Sequence, residues 1–126
     1  MSGPKGATII VAHPDDEVLW FASALPEAAE VIIAFQDYAV RPGLGERRAQ
    51  AMADLPFGAH CLALSEAGTF DAVNWSEPTR SALGLKMNAA GTAPAVSEAY
   101  ARNYEALRTR LSHRLSPDSC VFTHNP

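Results

Sequence analysis

The six residues Ala12–Glu17, with the sequence AHPDDE, bring one imidazole and three carboxylates together. Three adjacent carboxylates repel one another unless a cation neutralises them, so a bound metal is the simplest account of this cluster. An imidazole beside carboxylates suits Zn²⁺ or another divalent transition metal, whereas Mg²⁺ and Ca²⁺ prefer oxygen ligands alone. Pro14 restricts the backbone around His13 to an extended form, which lets His13 and Asp16 converge on one point. The pattern predicts a mononuclear hydrolytic site, with one carboxylate left to take a proton from water.

A purely structural role for the acids is the alternative. Asp is favoured at the N-terminus of a helix, and acidic side chains are favoured in its first turn, so Asp15 or Asp16 could cap a helix that follows. Capping accounts for one acid or two, but not for the His-Pro pair before them. We therefore favour a functional site for the motif as a whole.

The elements that must position this motif follow from hydrophobic patterning. Continuous apolar runs bounded by Gly and Pro predict buried strands, and apolar residues at helical spacing predict helices between them. The predicted strands are Ala7–Ala12, Glu30–Phe35, His60–Leu64 and Ser119–His124, and the predicted helices are Glu17–Leu25, Gly45–Leu55 and a long helix with the stripe Tyr100, Tyr104, Leu107, Leu111 and Leu115. This order predicts a Rossmann-like, doubly wound α/β fold, with a mainly parallel sheet flanked by helices. The motif then lies at the carboxyl end of the first strand, where open α/β sheets bind ligands.

The length and composition of the sequence limit the kinds of protein it can be. The 126 residues fit one domain, and no apolar run approaches the roughly 20 residues of a membrane-spanning helix. The N-terminal residues carry no apolar signal segment, and there are only two cysteines, Cys61 and Cys120, both within apolar runs. We therefore expect a cytoplasmic protein with buried, free cysteines. A net charge of −4 argues against a nucleic-acid partner.

The AHPDDE motif after a buried strand resembles the signature of the zinc-dependent PIG-L/LmbE-like N-deacetylases. The resemblance implies that His13 and Asp16 are zinc ligands and that Asp15 is the general base for the water that attacks an N-acyl carbonyl. It implies that Glu17 supports the ligands or caps the helix. It also implies a small-molecule substrate, an N-acetylated aminosugar or a conjugate of one.

A second stretch, Gly45–Leu55, resembles the Arg-x-x-Glu helix of the same family, with Arg47 in the Arg position and Gln50 where Glu is usual. The resemblance implies that Arg47 or Arg48 contacts substrate hydroxyls or a phosphate. Both arginines are equally explained as exposed helix residues.

The sequence departs from the family pattern at its end. The family has a histidine-rich motif soon after the last predicted strand, and its final histidine completes the zinc site, whereas this sequence stops at Pro126. His124 can reach the metal from a neighbouring strand end, but the family pattern more often makes it a wall residue. We expect a truncated chain that lacks amidase activity, holds metal weakly and forms homo-oligomers through the last strand.

Two other functions stay open at this point. One is a non-catalytic relative that binds a metal or a sugar. The other is a phospho-accepting receiver domain, which fits the length. It needs an Asp at the end of its third strand and a Lys near the end of its fifth, and neither HCLALSEAG nor VFTHNP offers them. The loosely patterned segment from Glu66 to Val96 is expected to select the substrate, with Trp75 and Phe70 either stacking on a sugar or packing the loop.

Overall fold

The computed structural model describes residues 6–37, 43–66, 73–82, 84–88 and 94–124. Within these ranges strands and helices alternate in the predicted order, and a short hairpin is added before the last helix. The elements are β1 (Ala7–Val11), α1 (Asp16–Phe21), a 3₁₀ turn (Leu25–Glu27), β2 (Ala28–Asp37), α2 (Leu44–Ala53), β3 (Ala59–Ser65), β4 (Arg80–Ser81), β5 (Gly84–Leu85), α3 (Pro94–Ser112) and β6 (Val121–Thr123).

β1 lies inside a four-stranded sheet whose order is β3-β2-β1-β6. β2 pairs with one side of β1 and β6 with the other, and both pairings are parallel. The chain runs outward from β1 to β2 and β3, and then returns across the sheet to place β6 beside β1. This reversal defines a doubly wound sheet. The predicted Rossmann-like α/β fold class is therefore confirmed.

Both faces of the sheet are covered by helices, which explains why its strands are apolar at successive positions. On one face, Ile9 belongs to a core that Phe21 of α1 and Met52 of α2 pack against. On the other face, Ile32 belongs to a core that contacts Leu107 of α3. Ile9 and Ile32 are both 0% exposed. Burial of each such side chain contributes about 1.5–3 kcal/mol.

The helices end earlier than their apolar patterns predict. α1 stops at Phe21, and the predicted last residue, Leu25, instead begins the 3₁₀ turn, whose second residue is a proline. α3 ends at Ser112, so Leu115 lies beyond it, although its N–H still donates to the carbonyl of Leu111 at 2.8 Å. Among the described residues, no helix has the length and apolar character needed to span a membrane.

The expectation of two buried cysteines is wrong. Both cysteines are free, but Cys61 is only half-buried and Cys120 is exposed. Cys61 lies on β3 and packs at the edge of the core around Ile9. Cys120 directly precedes β6, which is an edge strand of the described sheet, and this position leaves its side chain in contact with solvent.

The segment predicted as a long loop contains the antiparallel hairpin β4–β5. Its residue pairs are Arg80 with Leu85 and Ser81 with Gly84. The backbone N–H of Leu85 donates a hydrogen bond of 2.9 Å to the hydroxyl of Tyr100 on α3. This bond attaches the hairpin to the helix that covers one face of the sheet.

Candidate active site

His13 and His124 follow the two strands that meet where the chain reverses across the sheet. His13 lies two residues after β1, and His124 follows β6 directly. Ile10 of β1 is paired with Thr123 of β6, so the carboxyl ends of the two strands lie side by side. Doubly wound sheets bind their ligands at this switch point.

The turn after β1 holds Asp16 against His13. The backbone N–H of His13 donates to Oδ2 of Asp16 at 2.9 Å, and the N–H of Asp16 donates to the carbonyl of His13 at 3.2 Å. Asp15, between them, has a φ of 111°. Such a conformation costs a non-glycine residue about 1–3 kcal/mol and is retained mainly at functional sites. Residues 13 and 16 therefore converge, as their spacing predicts.

Glu66 contacts the ring nitrogen of His13 that points away from Asp16. Nε2 of His13 lies 3.0 Å from Oε1 of Glu66, which is 9% exposed. A neutral imidazole that donates from Nε2 keeps its lone pair on Nδ1. Nδ1 lies 3.7 Å from Oδ2 of Asp16. The ring of Phe35 packs beside the imidazole, with 5.8 Å between the ring centroids. In that tautomer the nitrogen that faces Asp16 is the unprotonated one.

His124 approaches the same carboxylate from β6. Its Nε2 accepts a hydrogen bond of 3.2 Å from the backbone N–H of Ala12 and lies 3.5 Å from Oδ2 of Asp16. A ring nitrogen that accepts a hydrogen bond carries no proton. With His13 in the tautomer that donates from Nε2, Oδ2 of Asp16 lies near two unprotonated imidazole nitrogens, an arrangement that a cation would stabilise.

The spacings test whether these residues fit a zinc ion. Zinc bonds of about 2.0–2.1 Å in a tetrahedron put neighbouring ligand atoms about 3.3 Å apart. Oδ2 of Asp16 is 3.7 Å from Nδ1 of His13 and 3.5 Å from Nε2 of His124, which is close to that spacing. Within the described residues, however, no group of three or more His, Cys, Asp or Glu side chains is arranged to hold a metal ion. This part of the chain therefore fits a pair of zinc ligands, not a complete site.

The other two acids of the motif have different surroundings. Asp15 is exposed and occupies the N-cap position of α1, but its side chain makes no capping hydrogen bond. Glu17 is 2% exposed, and its Oε2 accepts a hydrogen bond of 3.0 Å from the N–H of Asp15. The capping interpretation therefore applies to Glu17, and the carboxylate of Asp15 stays available.

The polar groups described above face a cavity of about 750 Å³, within the usual range for small-molecule sites. His13, Asp16, Glu66 and His124 form its polar end, and Asp15 is not among the described residues that line it. Its apolar wall is formed by Phe35, Val73, Trp75, Leu85, Tyr100 and Tyr104. Trp75 is therefore a cavity residue, whereas Phe70 lies outside the described residues.

The arginines expected to bind substrate lie elsewhere on α2. Arg47 is exposed, and Nη1 of Arg48 donates to the carbonyl of Gln36 at 3.4 Å. Neither is among the described residues that line the cavity, and Arg80 of β4 is the arginine that does so. Arg80 belongs to a hairpin of two residues per strand, which the apolar pattern of the sequence does not reveal.

Glu66 is the site residue that the sequence interpretation missed. It is the first residue after β3, whose carboxyl end lies at the same edge of the parallel sheet as that of β1. An acid immediately after a buried parallel strand is the signal that could have identified it.

No protein-family model, curated protein or solved structure matches this chain. The resemblance to N-deacetylases therefore depends on the sequence alone, mainly on the AHPDDE motif.

Proposed function

We propose that this protein hydrolyses the N-acyl group of an aminosugar or sugar conjugate with the help of a divalent transition metal, most simply zinc. One observation carries the proposal: Oδ2 of Asp16 lies 3.7 Å from Nδ1 of His13 and 3.5 Å from Nε2 of His124, beside a ligand-sized cavity. Zinc bound there would polarise the acyl carbonyl and make water a stronger nucleophile at neutral pH.

In this proposal His13 and Asp16 are the metal ligands, and His124 is either a wall residue or a further ligand. Glu66 is a positioning residue: its Oε1 lies 3.0 Å from Nε2 of His13, and a hydrogen bond donated from Nε2 to this carboxylate would leave Nδ1 for the metal. A carboxylate behind a metal-ligating histidine is a common arrangement that fixes both the ring and its tautomer.

Asp15 is the general base of the proposed reaction. Its carboxylate makes no capping hydrogen bond and is adjacent in sequence to a ligand. Because the side chain is exposed and outside the described cavity wall, it must rotate toward the cavity to take a proton from water. Glu66 is the competing carboxylate, since it already lines the cavity.

Zinc content after dialysis and acetate release from N-acetylglucosamine conjugates test these roles separately. His13→Ala should lower the zinc stoichiometry sharply. In a form of the protein that releases acetate, Asp15→Asn should keep nearly all of its zinc and lose about 10²–10⁴-fold of the rate. His113→Ala is the matched control, because this exposed histidine lies beside a different, smaller cavity. Unchanged zinc content in His13→Ala contradicts the ligand assignment, and normal turnover in Asp15→Asn contradicts the base.

A non-catalytic protein that binds a metal or a sugar is the second candidate. One observation favours it over hydrolysis: the carboxylate of Asp15 is exposed and lies outside the described cavity lining. This candidate predicts zinc or sugar binding without acetate release, at any zinc concentration that saturates the site.

The expected partner is a small-molecule N-acetylated sugar and not a nucleic acid, in keeping with the net charge of −4. The free thiols of Cys61 and Cys120 support a reducing, cytoplasmic setting.

A further inference from the structure

The cavity beside His13 is polar at one end only. An amide whose acyl group lies at His13 and Asp16 must place the remainder of the molecule against the other walls. Those walls are dominated by rings and aliphatic side chains, namely Phe35, Val73, Trp75, Leu85, Tyr100 and Tyr104. The composition of the walls therefore bears directly on the class of substrate.

The hairpin side of this cavity is held in place by a specific contact. The hydroxyl of Tyr100 accepts the N–H of Leu85 at 2.9 Å, and Gly84 beside it has a φ of 104°. A Cβ atom at Gly84 would collide with that hydroxyl. Val73 pairs with Met87 in an isolated bridge and is 8% exposed. These contacts hold the Val73 and Leu85 parts of the apolar wall in place, so a ligand does not have to order them on binding.

A bare sugar is a poor match for such a wall. Each hydroxyl that leaves water needs a hydrogen-bond partner, or binding is weakened. Away from the polar end, the polar side chains among the described lining residues are Arg80, Ser81, Tyr100 and Tyr104. The hydroxyl of Tyr100 already accepts a hydrogen bond from the hairpin. An apolar group, in contrast, gains from burial against every ring on the wall.

We propose that the substrate is an amide whose non-reacting part carries an apolar, ring-sized group that packs against Trp75, Leu85 and Tyr104. The proposal rests on the proposed hydrolytic function for the position of the acyl group, at His13 and Asp16. Trp75 is 40% exposed, so it presents ring surface for a ligand to cover. The cavity volume of about 750 Å³ accommodates a sugar and an additional ring together.

Calorimetric titration with two matched probes tests the proposal on the full chain, with and without zinc. The probes are methyl and phenyl N-acetyl-β-glucosaminide, which share the sugar and the amide and differ only in the apolar group. The phenyl glycoside should bind about tenfold more tightly or better, because the extra ring is buried on binding. Equal affinities for the two probes would overturn the proposal.

Substitutions in the apolar wall of the cavity test where the phenyl group binds. Trp75→Ala and Leu85→Ala should each reduce the phenyl preference at least about threefold, a part of the full effect. Trp20→Ala is the matched control, because Trp20 is also exposed (67%) but lies on α1 and outside the described cavity lining. A phenyl preference that survives in both wall variants, or that is lost in Trp20→Ala, places the ring elsewhere and overturns the proposal.

Acetate release, measured with the same probes, separates this inference from the proposed function. A phenyl preference in binding without any acetate release supports the apolar subsite and counts against hydrolysis. Acetate release from both glycosides at equal kcat/KM supports hydrolysis and counts against the subsite.

Discussion

Replacing Glu66 by Ala should weaken zinc binding about 10–100-fold without unfolding the protein. Oε1 of Glu66 lies 3.0 Å from Nε2 of His13, and a carboxylate in this position behind a metal ligand typically contributes 10–100-fold to metal affinity. An independent magnitude agrees, because a hydrogen bond to a charged group contributes about 1.5–3 kcal/mol and about 1.4 kcal/mol corresponds to tenfold.

The physical reason lies in the tautomer of His13. Without Glu66, the imidazole loses the acceptor that keeps its proton on Nε2, and the proton can move to Nδ1, which faces Oδ2 of Asp16 at 3.7 Å. A protonated Nδ1 cannot ligate a metal. Glu66→Gln keeps an acceptor oxygen and should retain most of the affinity.

Competition for zinc with a chromophoric chelator measures the effect at fixed pH and ionic strength, and thermal unfolding by circular dichroism monitors the fold. Glu105→Ala is the matched control, because it also removes one negative charge but from an exposed pair with Arg108 on α3. Wild-type zinc affinity in a folded Glu66→Ala protein would refute the reasoning. A Gln variant as weak as the Ala variant would show that charge matters and the hydrogen bond does not.

Three further predictions concern the scaffold. Ile32→Ala should lower the free energy of unfolding by about 2–5 kcal/mol in urea denaturation, whereas Leu19→Ala, at a position 66% exposed, should stay within about 0.5 kcal/mol. Gly84→Ala should cost about 1–3 kcal/mol, and Tyr100→Phe in the same chain should relieve part of that cost, since the hydroxyl is the obstacle. Val121→Lys should reduce self-association in sedimentation velocity, because Val121 is 38% exposed on an edge strand of the described sheet; an unchanged sedimentation coefficient would exclude association through β6.

The sheet could be predicted from the sequence because its signal is local. β1 and residues 31–34 of β2 are almost entirely buried, so each appears as a mostly apolar run, and the order of elements then restricts the topology. The hairpin β4–β5 has only two residues in each strand and no apolar alternation. Its position depends on the hydrogen bond to Tyr100, 15 residues beyond Leu85, which no local pattern reveals.

In the candidate site, too, contacts within one short segment were predictable from the sequence, and contacts between distant segments were not. The convergence of His13 and Asp16 follows from a four-residue turn and was predictable, because both partners lie in one short segment. The contact with Glu66 spans 53 residues, and that with His124 depends on β6 pairing beside β1. Asp15 is exposed and has a positive φ, a backbone conformation that the residue type does not specify.

Asp16 connects the stability of the turn with the chemistry proposed for it. The same oxygen, Oδ2, accepts the backbone N–H of His13 at 2.9 Å and faces the imidazoles of His13 and His124. A carboxylate oxygen has two lone pairs, so the backbone bond uses one and leaves another for a cation. The backbone bond also fixes the orientation of the carboxylate before any ligand arrives, which lowers the cost of ordering it on binding. The proposed ligand pair is therefore organised by the fold of the HPDD turn itself, and a metal would add to an arrangement that the turn already holds.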